Sequence, residues 1–182
     1  KNNDGNTALF WAASKGHTKI VEQLLEKGAH FDTIKIHNEP LIFWAIHKGH
    51  TAIVEQLLKK DAHFDTIKIH NEPLIFWAIR NGHTAIVAQL LAKGADINFL
   101  CSSSSGNTAL ICAAEKGHTD IVEQLLAKGA DINLQGRSGH TALGCAAEKG
   151  HTEIVEQLLA KGAKVDIKNQ DANTALICAV HN

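Results

Sequence analysis

The sequence has little of what marks membrane, secreted or nucleic-acid-binding proteins. Its longest apolar runs are only a few residues, far short of the roughly 20 that cross a bilayer, and its first residues carry no charged-then-apolar export signal. Eighteen basic side chains are balanced by nineteen acidic ones, for a formal net charge of -1. No basic surface of the kind that binds phosphates is therefore expected. We expect neither membrane insertion nor a nucleic-acid partner.

The motifs of catalysis are missing as well. There is no Gly-rich phosphate-binding loop, no nucleophile elbow and no His-Glu-x-x-His helix. The twelve histidines and four cysteines show no spacing typical of a zinc site. We expect a protein that is not an enzyme and that uses no cofactor and no metal. Four cysteines without an export signal also predict a reducing, intracellular and cytoplasmic setting.

A repeat of about 33 residues organises the chain. The tripeptide Gly-His-Thr recurs with spacings of 33, 33, 35 and 33 residues, at Gly16, Gly49, Gly82, Gly117 and Gly150. A fixed period of this length indicates a repeat protein, in which each unit buries its apolar face against its neighbours.

Each repeat predicts two antiparallel helices. In the fourth copy, from Gly106 to Asn133, small and apolar residues recur at helical spacing before Gly117. A second apolar stripe begins after Thr119, which we expect to cap its helix, and Gly129 follows at the position where a left-handed residue ends a helix. The polar residues beyond it predict an extended turn into the next helix pair.

The repeat resembles the ankyrin repeat. The family pattern of Gly-x-Thr-Pro-Leu-His, two alanines, Gly-His, Ile-Val, Leu-Leu and Gly-Ala-Asp is matched by five full copies and a sixth that stops early. The resemblance implies an all-α solenoid of stacked helix-turn-helix units joined by β-hairpin-like fingers, in a single domain over residues 1–182. We place the repeats at about residues 4–36, 37–69, 70–104, 105–137, 138–170 and, in part, 171–182.

The same resemblance implies a non-catalytic protein–protein interaction module or scaffold that binds a partner protein through its concave groove. Two alternatives stay open. One is the recognition arm of a larger multidomain enzyme, or of an effector delivered into a host cell, since near-identical repeats resemble those of microbes that live inside other cells. The other is a purely structural spacer.

Cysteine and histidine each form a column along the repeats. Cys112, Cys145 and Cys178 share one repeat position, so neighbours lie about 10 Å apart, beyond the separation that a disulfide bridges. The histidines of the five tripeptides match the family's structural histidine at the head of the second helix. We expect both columns to be structural rather than metal or redox sites.

Repeats two and three depart from the family pattern. They share one identical segment, His30–Ile46 and His63–Ile79. Within it Asn38 and Asn71 take the usual glycine position, which asparagine tolerates at positive φ, and a proline in the first helical turn replaces threonine.

A two-residue insertion lengthens the finger between repeats three and four. It falls in Phe99–Ser105, a Ser-rich stretch that we interpret as a tolerated insertion in preference to a binding element. Because Cys101 lies in this finger, we expect it to be the most reactive of the four thiols.

A tryptophan precedes the small-residue pair in each of the first three repeats, at Trp11, Trp44 and Trp77. At about 100° per residue, this position lies between the residues three and four places later, which are polar. We predict that the indoles lie toward the polar face of the first helix, where tryptophan is typical of binding hot spots. The alternative is that they cover the seams between adjacent first helices.

The resemblance places the polar face of the first helices and the finger tips in the concave binding groove. Carried over position by position, the predicted partner-binding residues are Trp11, Lys15, Ile36, His37, Glu39, Trp44, His47, Lys48, Ile69, His70, Glu72, Trp77, Arg80 and Asn81.

Neither end of the sequence shows the polar substitutions that cap a solenoid. Methionine is also absent throughout. We expect the native chain to continue on both sides.

Overall fold

The computed structural model describes residues 7–31, 35–36, 39–60, 64, 67–101 and 106–180, with the backbone alone at 35–36. Within these ranges the chain forms successive helix pairs. The first helices of the pairs are α1 (Ala8–Ser14), α3 (Leu41–His47), α5 (Leu74–Arg80), α7 (Ala109–Lys116), α9 (Ala142–Glu148) and α11 (Ala175–Val180). The second helices are α2 (Thr18–Glu26), α4 (Thr51–Lys60), α6 (Thr84–Ala92), α8 (Thr119–Ala127) and α10 (Thr152–Ala160).

The helices stack in two layers. First helices pack on the first helices of adjacent repeats, and second helices on second helices. The core between the layers is built from repeat positions such as Ile53, Ile86 and Ile121, each fully buried. No helix pair could bury these side chains without its neighbours. The stacked helix pairs confirm the predicted all-α solenoid.

Two short antiparallel hairpins form fingers ahead of α3 and α5. Strands β1 (Lys35–Ile36) and β2 (Glu39–Pro40) form the first, and β3 (Lys68–Ile69) and β4 (Glu72–Pro73) the second. His70 and Asn71 turn the second hairpin with φ of 51° and 69°, as a two-residue hairpin turn requires. The positive φ predicted for Asn71 is confirmed, whereas Asn38 lies outside the described residues.

Helix capping differs from the prediction. Thr7, Thr108 and Thr141 cap first helices, each hydroxyl accepting a hydrogen bond from the backbone N–H three residues later. Pro40 and Pro73 are themselves the N-cap residues of α3 and α5 and offer no side-chain hydrogen bond. The expectation that proline sits in the first helical turn was therefore wrong by one residue.

Four of the second helices, α2, α6, α8 and α10, begin without a side-chain cap. The residue before α8 is His118, and Thr119 is already the first helical residue, so the predicted cap at Thr119 was wrong. The hydroxyl of Thr119 instead lies 3.4 Å from Glu153 Oε2 in the next repeat.

In repeats two, three and five a histidine of the Gly-His tripeptide contacts a backbone carbonyl of the repeat before it. The Nε2 atom of His83 lies 3.4 Å from the carbonyl oxygen of His47, and that of His151 lies 3.2 Å from the carbonyl oxygen of Glu115. The His83 ring also rests on Gly49, where an added Cβ would lie 2.7 Å from the ring. The predicted structural role of the histidine column is confirmed.

The outer repeats leave apolar side chains exposed. Ile20 in α2 is 47% exposed, although its equivalents in later repeats are buried. In α11, Leu176 and Val180 are 75% and 77% exposed, and Cys178 is the only side chain of that helix classed as buried. No helix among the described residues is long and apolar enough to cross a membrane.

Candidate partner-binding surface on the first helices

The three tryptophans differ in exposure along the stack. Trp11 in α1 is 48% exposed, while Trp44 in α3 and Trp77 in α5 are half-buried. In later repeats the same position holds Cys112, Cys145 and Cys178, each 7% exposed. An indole is too large to be enclosed where a thiol fits, so the first three repeats present aromatic surface that the last three lack.

Each tryptophan contacts a phenylalanine ring, but among the described residues only Trp77 contacts one from an adjacent helix. The Trp77 ring meets Phe43 of the preceding first helix edge-on, with centroids 5.0 Å apart at 89°. Trp44 makes a similar contact with Phe43 at 5.6 Å and 76°. Trp11 contacts Phe10 at 5.0 Å. Trp77 therefore covers part of the α3–α5 seam, while Trp11 is the most accessible of the three indoles.

Polar rings and cations flank these indoles. His47 lies 6.2 Å from the Trp44 ring, and His70 lies 6.1 Å from the Trp77 ring. The Arg80 guanidinium stands 5.6 Å from the centroid of Trp77, within cation–π range. The second and third indoles are thus held in place on both sides.

A buried ion pair lies beside Trp77. Arg80 donates through both terminal nitrogens to the Glu72 carboxylate at 2.5 Å, in a bidentate arrangement. Glu72 is 2% exposed, whereas the Arg80 side chain is 32% exposed. The hydrogen bonds to Glu72 raise the pKa of Arg80 above its ordinary value, against the opposing effect of its burial. The Cys101 thiol donates a further hydrogen bond to Glu72 Oε1 at 2.7 Å.

These contacts correct three predictions. Glu72 was expected to face a partner, but the ion pair with Arg80 allows its carboxylate to be buried. Ile69 was expected at an exposed finger tip, yet it is 6% exposed because side chains alternate along β3 and the exposed position falls to Lys68. Cys101 was expected to be the most accessible thiol, but it is 1% exposed and its thiol is hydrogen-bonded to Glu72.

Burial controls the other thiols as well. It raises the pKa of Cys112 and of Cys145 to about 12, and it also raises the pKa of Cys178. None of the four cysteines forms a disulfide. In the part of the chain that the structure describes, no three His, Cys, Asp or Glu side chains lie together in a way that could hold a metal ion.

The pairing of Glu72 with Arg80 recurs at the same two positions in the following repeats. Asn107 Nδ2 donates to Glu115 Oε2 at 3.3 Å, and His140 Nδ1 lies 3.9 Å from Glu148 Oε2. Sequence reasoning missed this link. Its signal was a polar pair eight residues apart in each repeat, on either side of the first helix.

Lysines end the first helices of repeats one and two. Lys15 and Lys48 are exposed, and each backbone N–H donates to the carbonyl of the tryptophan four residues earlier. Asn81 holds this position in repeat three and donates from Nδ2 to the Trp77 carbonyl at 2.7 Å. Four residues along a helix return to the same face, so each of these polar residues lies beside its tryptophan.

The predicted partner-binding residues therefore fall into four groups. Those that are exposed are Trp11, Lys15, Lys48, His70 and Asn81. Those that are half-buried are Glu39, Trp44, His47, Trp77 and Arg80. Those that are buried are Ile69 and Glu72. His37 and the side chain of Ile36 lie outside what the structure describes.

The family model for ankyrin repeats, in three copies, matches residues 1–68, 42–136 and 131–182. Comparison with curated proteins gives no match. Ankyrin repeats are generally protein–protein interaction modules and are typically non-catalytic. Because the matched ranges cover the whole chain and the helix pairs stack as the repeat pattern predicts, the chain belongs to the ankyrin-repeat family.

Proposed function

We propose that this protein binds a partner protein through a surface we call the indole face: Trp11, Trp44 and Trp77 with the exposed or half-buried polar residues Lys15, Lys48, His70, Arg80 and Asn81. The observation that carries the proposal is that three indoles at one repeat position reach the surface beside cationic side chains: Trp11 is 48% exposed, and Trp44 and Trp77 are half-buried. Exposed aromatic surface beside cations is typical of binding hot spots. The four cysteines, none of which forms a disulfide, support an intracellular setting for this interaction.

One observation favours the alternative of a structural spacer. The Trp77 ring packs on Phe43, so this indole also stabilises the stack. Both roles are compatible for Trp77. Trp11, whose ring contact with Phe10 lies within its own helix, distinguishes the binding role from the structural one.

The test compares binding by the protein and by two double variants. Trp11→Ala with Trp44→Ala should weaken binding of a captured partner by more than about 2 kcal/mol, the hot-spot threshold. The matched control is Cys112→Ala with Cys145→Ala, which truncates the same repeat position in the other half and should leave affinity unchanged. Partners are isolated by proximity labelling in cells, and their affinities are then measured by calorimetry.

Circular dichroism of each variant first establishes that the helices are retained. A partner that binds the tryptophan variant as tightly as the unmodified protein would refute the proposed function.

A further inference from the structure

The charge of the indole face is concentrated in repeats one and two. Neither the Lys15 nor the Lys48 ammonium has an acidic partner among the described residues, which form their ion pairs elsewhere. Both side chains are exposed and both lie four residues after a tryptophan on the same helical face. Repeats one and two therefore each present an indole beside a cation that has no acidic partner among the described residues.

The following three repeats do not combine an indole with such a cation. In repeat three the Arg80 charge is already neutralised by buried Glu72, and Asn81 stands where the lysine would be. In repeat four, Lys116 follows Cys112 in place of a tryptophan and stands next to Glu115, which offsets its charge. Repeat five pairs Lys149 with Glu148 at 2.9 Å.

Other titratable groups on the same face do not change this balance. Ser14 and His47 stand where repeats four and five have glutamate, and His47 is half-buried between Phe43 and Trp44. Glu39 is half-buried at the start of α3, nine positions before Lys48 and so at the other end of that helix. The exposed charge beside Trp11 and Trp44 is thus positive.

We propose that the partner segment bound by the indole face is acidic and apolar: it sets aliphatic or aromatic side chains against Trp11 and Trp44 and carboxylates against Lys15 and Lys48. This inference rests on the proposed function and adds the chemistry of the partner. The carboxylates meet two ammonium groups that have no acidic partner among the described residues, while Arg80 contributes a stacked, already neutralised side chain.

The strength of the effect follows from exposure. A solvent-exposed ion pair changes affinity by about two- to fivefold, so reversing both lysines should weaken binding of an acidic segment by about tenfold or more. The attraction should also weaken as salt rises, because screening acts over about 10 Å at 0.1 M and about 3 Å at 1 M ionic strength.

A random peptide library displayed on phage is the probe. It is selected in parallel on the unmodified protein, on Lys15→Glu with Lys48→Glu, and on Lys116→Glu with Lys149→Glu, a control with the same change in net charge. We expect peptides rich in Asp, Glu and apolar residues from the first and third selections, and their loss from the second. Synthetic copies are then titrated at low and high salt by following tryptophan emission, which reports this face because the chain has three tryptophans and no tyrosine.

Selected peptides that are not acidic, that bind the Lys15→Glu, Lys48→Glu variant unchanged, or that bind independently of salt overturn the inference, as does a selection that enriches nothing. Titration against Trp11→Ala with Trp44→Ala separates the two proposals. Peptides that need the indoles but not the lysines leave the proposed function standing and remove this inference. Peptides that need neither remove both.

Discussion

Glu39 and Glu72 lie in identical sequence segments but in different environments. Glu72 is 2% exposed, while Glu39 is half-buried. The residue eight positions after Glu72 is Arg80, whereas the residue eight positions after Glu39 is His47. Arg80 and the Cys101 thiol both donate hydrogen bonds to Glu72. Burial of a carboxylate is favourable only when a counter-charge and hydrogen bonds replace water.

Removing Arg80 should therefore be costly. We expect Arg80→Ala to lower the free energy of unfolding by about 3 kcal/mol, because it removes the counter-charge of the buried Glu72 carboxylate. Glu72→Gln should cost less, since the Arg80 side chain is 32% exposed and its charge can be solvated. Denaturant unfolding of both variants measures the difference.

The pH dependence of the stability of Arg80→Ala provides a second test. The difference in unfolding free energy between Arg80→Ala and the unmodified protein should become smaller toward acid pH, because a protonated Glu72 needs no counter-charge. A deficit that stays constant with pH, or Glu72→Gln proving the more damaging change, would contradict this account of the pair.

At the scale of elements, the sequence predicted the helices well and the burial of single polar residues less well. Helix pairs were predictable because apolar spacing and the Gly-His tripeptide recur in each repeat. The burial of Cys101 was not, because it depends on a contact with Glu72, which lies 29 residues earlier in the chain. Of the predicted surface, the indole and lysine positions follow from helical geometry, whereas the burial of Glu72 depends on a contact that helix periodicity does not encode.

The glycine–histidine joint between repeats offers a matched test of packing. Gly49 and Gly150 share one repeat position and have φ of 72° and 69°. A Cβ at Gly49 would lie 2.7 Å from the His83 ring, whereas nothing lies within 4 Å of one at Gly150. Gly150→Ala should cost about 1–2 kcal/mol for the left-handed backbone alone, and Gly49→Ala about 1–3 kcal/mol more.

Urea unfolding of the two alanine variants makes the comparison. Equal losses of stability would mean that the His83 ring shifts without penalty and that the joint does not hold the repeats together.

Over the whole molecule, stability should vary along the stack. The first helices of repeats three to five pack against first helices on both sides, while α11 packs on α9 and leaves Leu176 and Val180 exposed. Because solenoid stability is a sum of local and neighbour terms, amide hydrogen exchange should be slowest from α5 to α9. In α11 it should be faster by about tenfold or more.

Exchange measured by mass spectrometry on proteolytic fragments resolves this gradient. A control at higher protein concentration shows whether association between molecules protects the ends. Uniform protection at both concentrations would mean that the stack opens as one cooperative unit.

The joint between repeats also has a mechanical consequence. The rings of His50, His83, His118 and His151 each rest on a glycine of the repeat before, and the helices of each repeat pack on those of adjacent repeats, so the repeats are joined as links in a linear series. A force that pulls the two ends apart would load these links in series, and the weakest would yield first. Each link that opens would release about 33 residues, or about 110–120 Å of extended chain. Under tension the protein would therefore lengthen in steps of similar size, one repeat at a time.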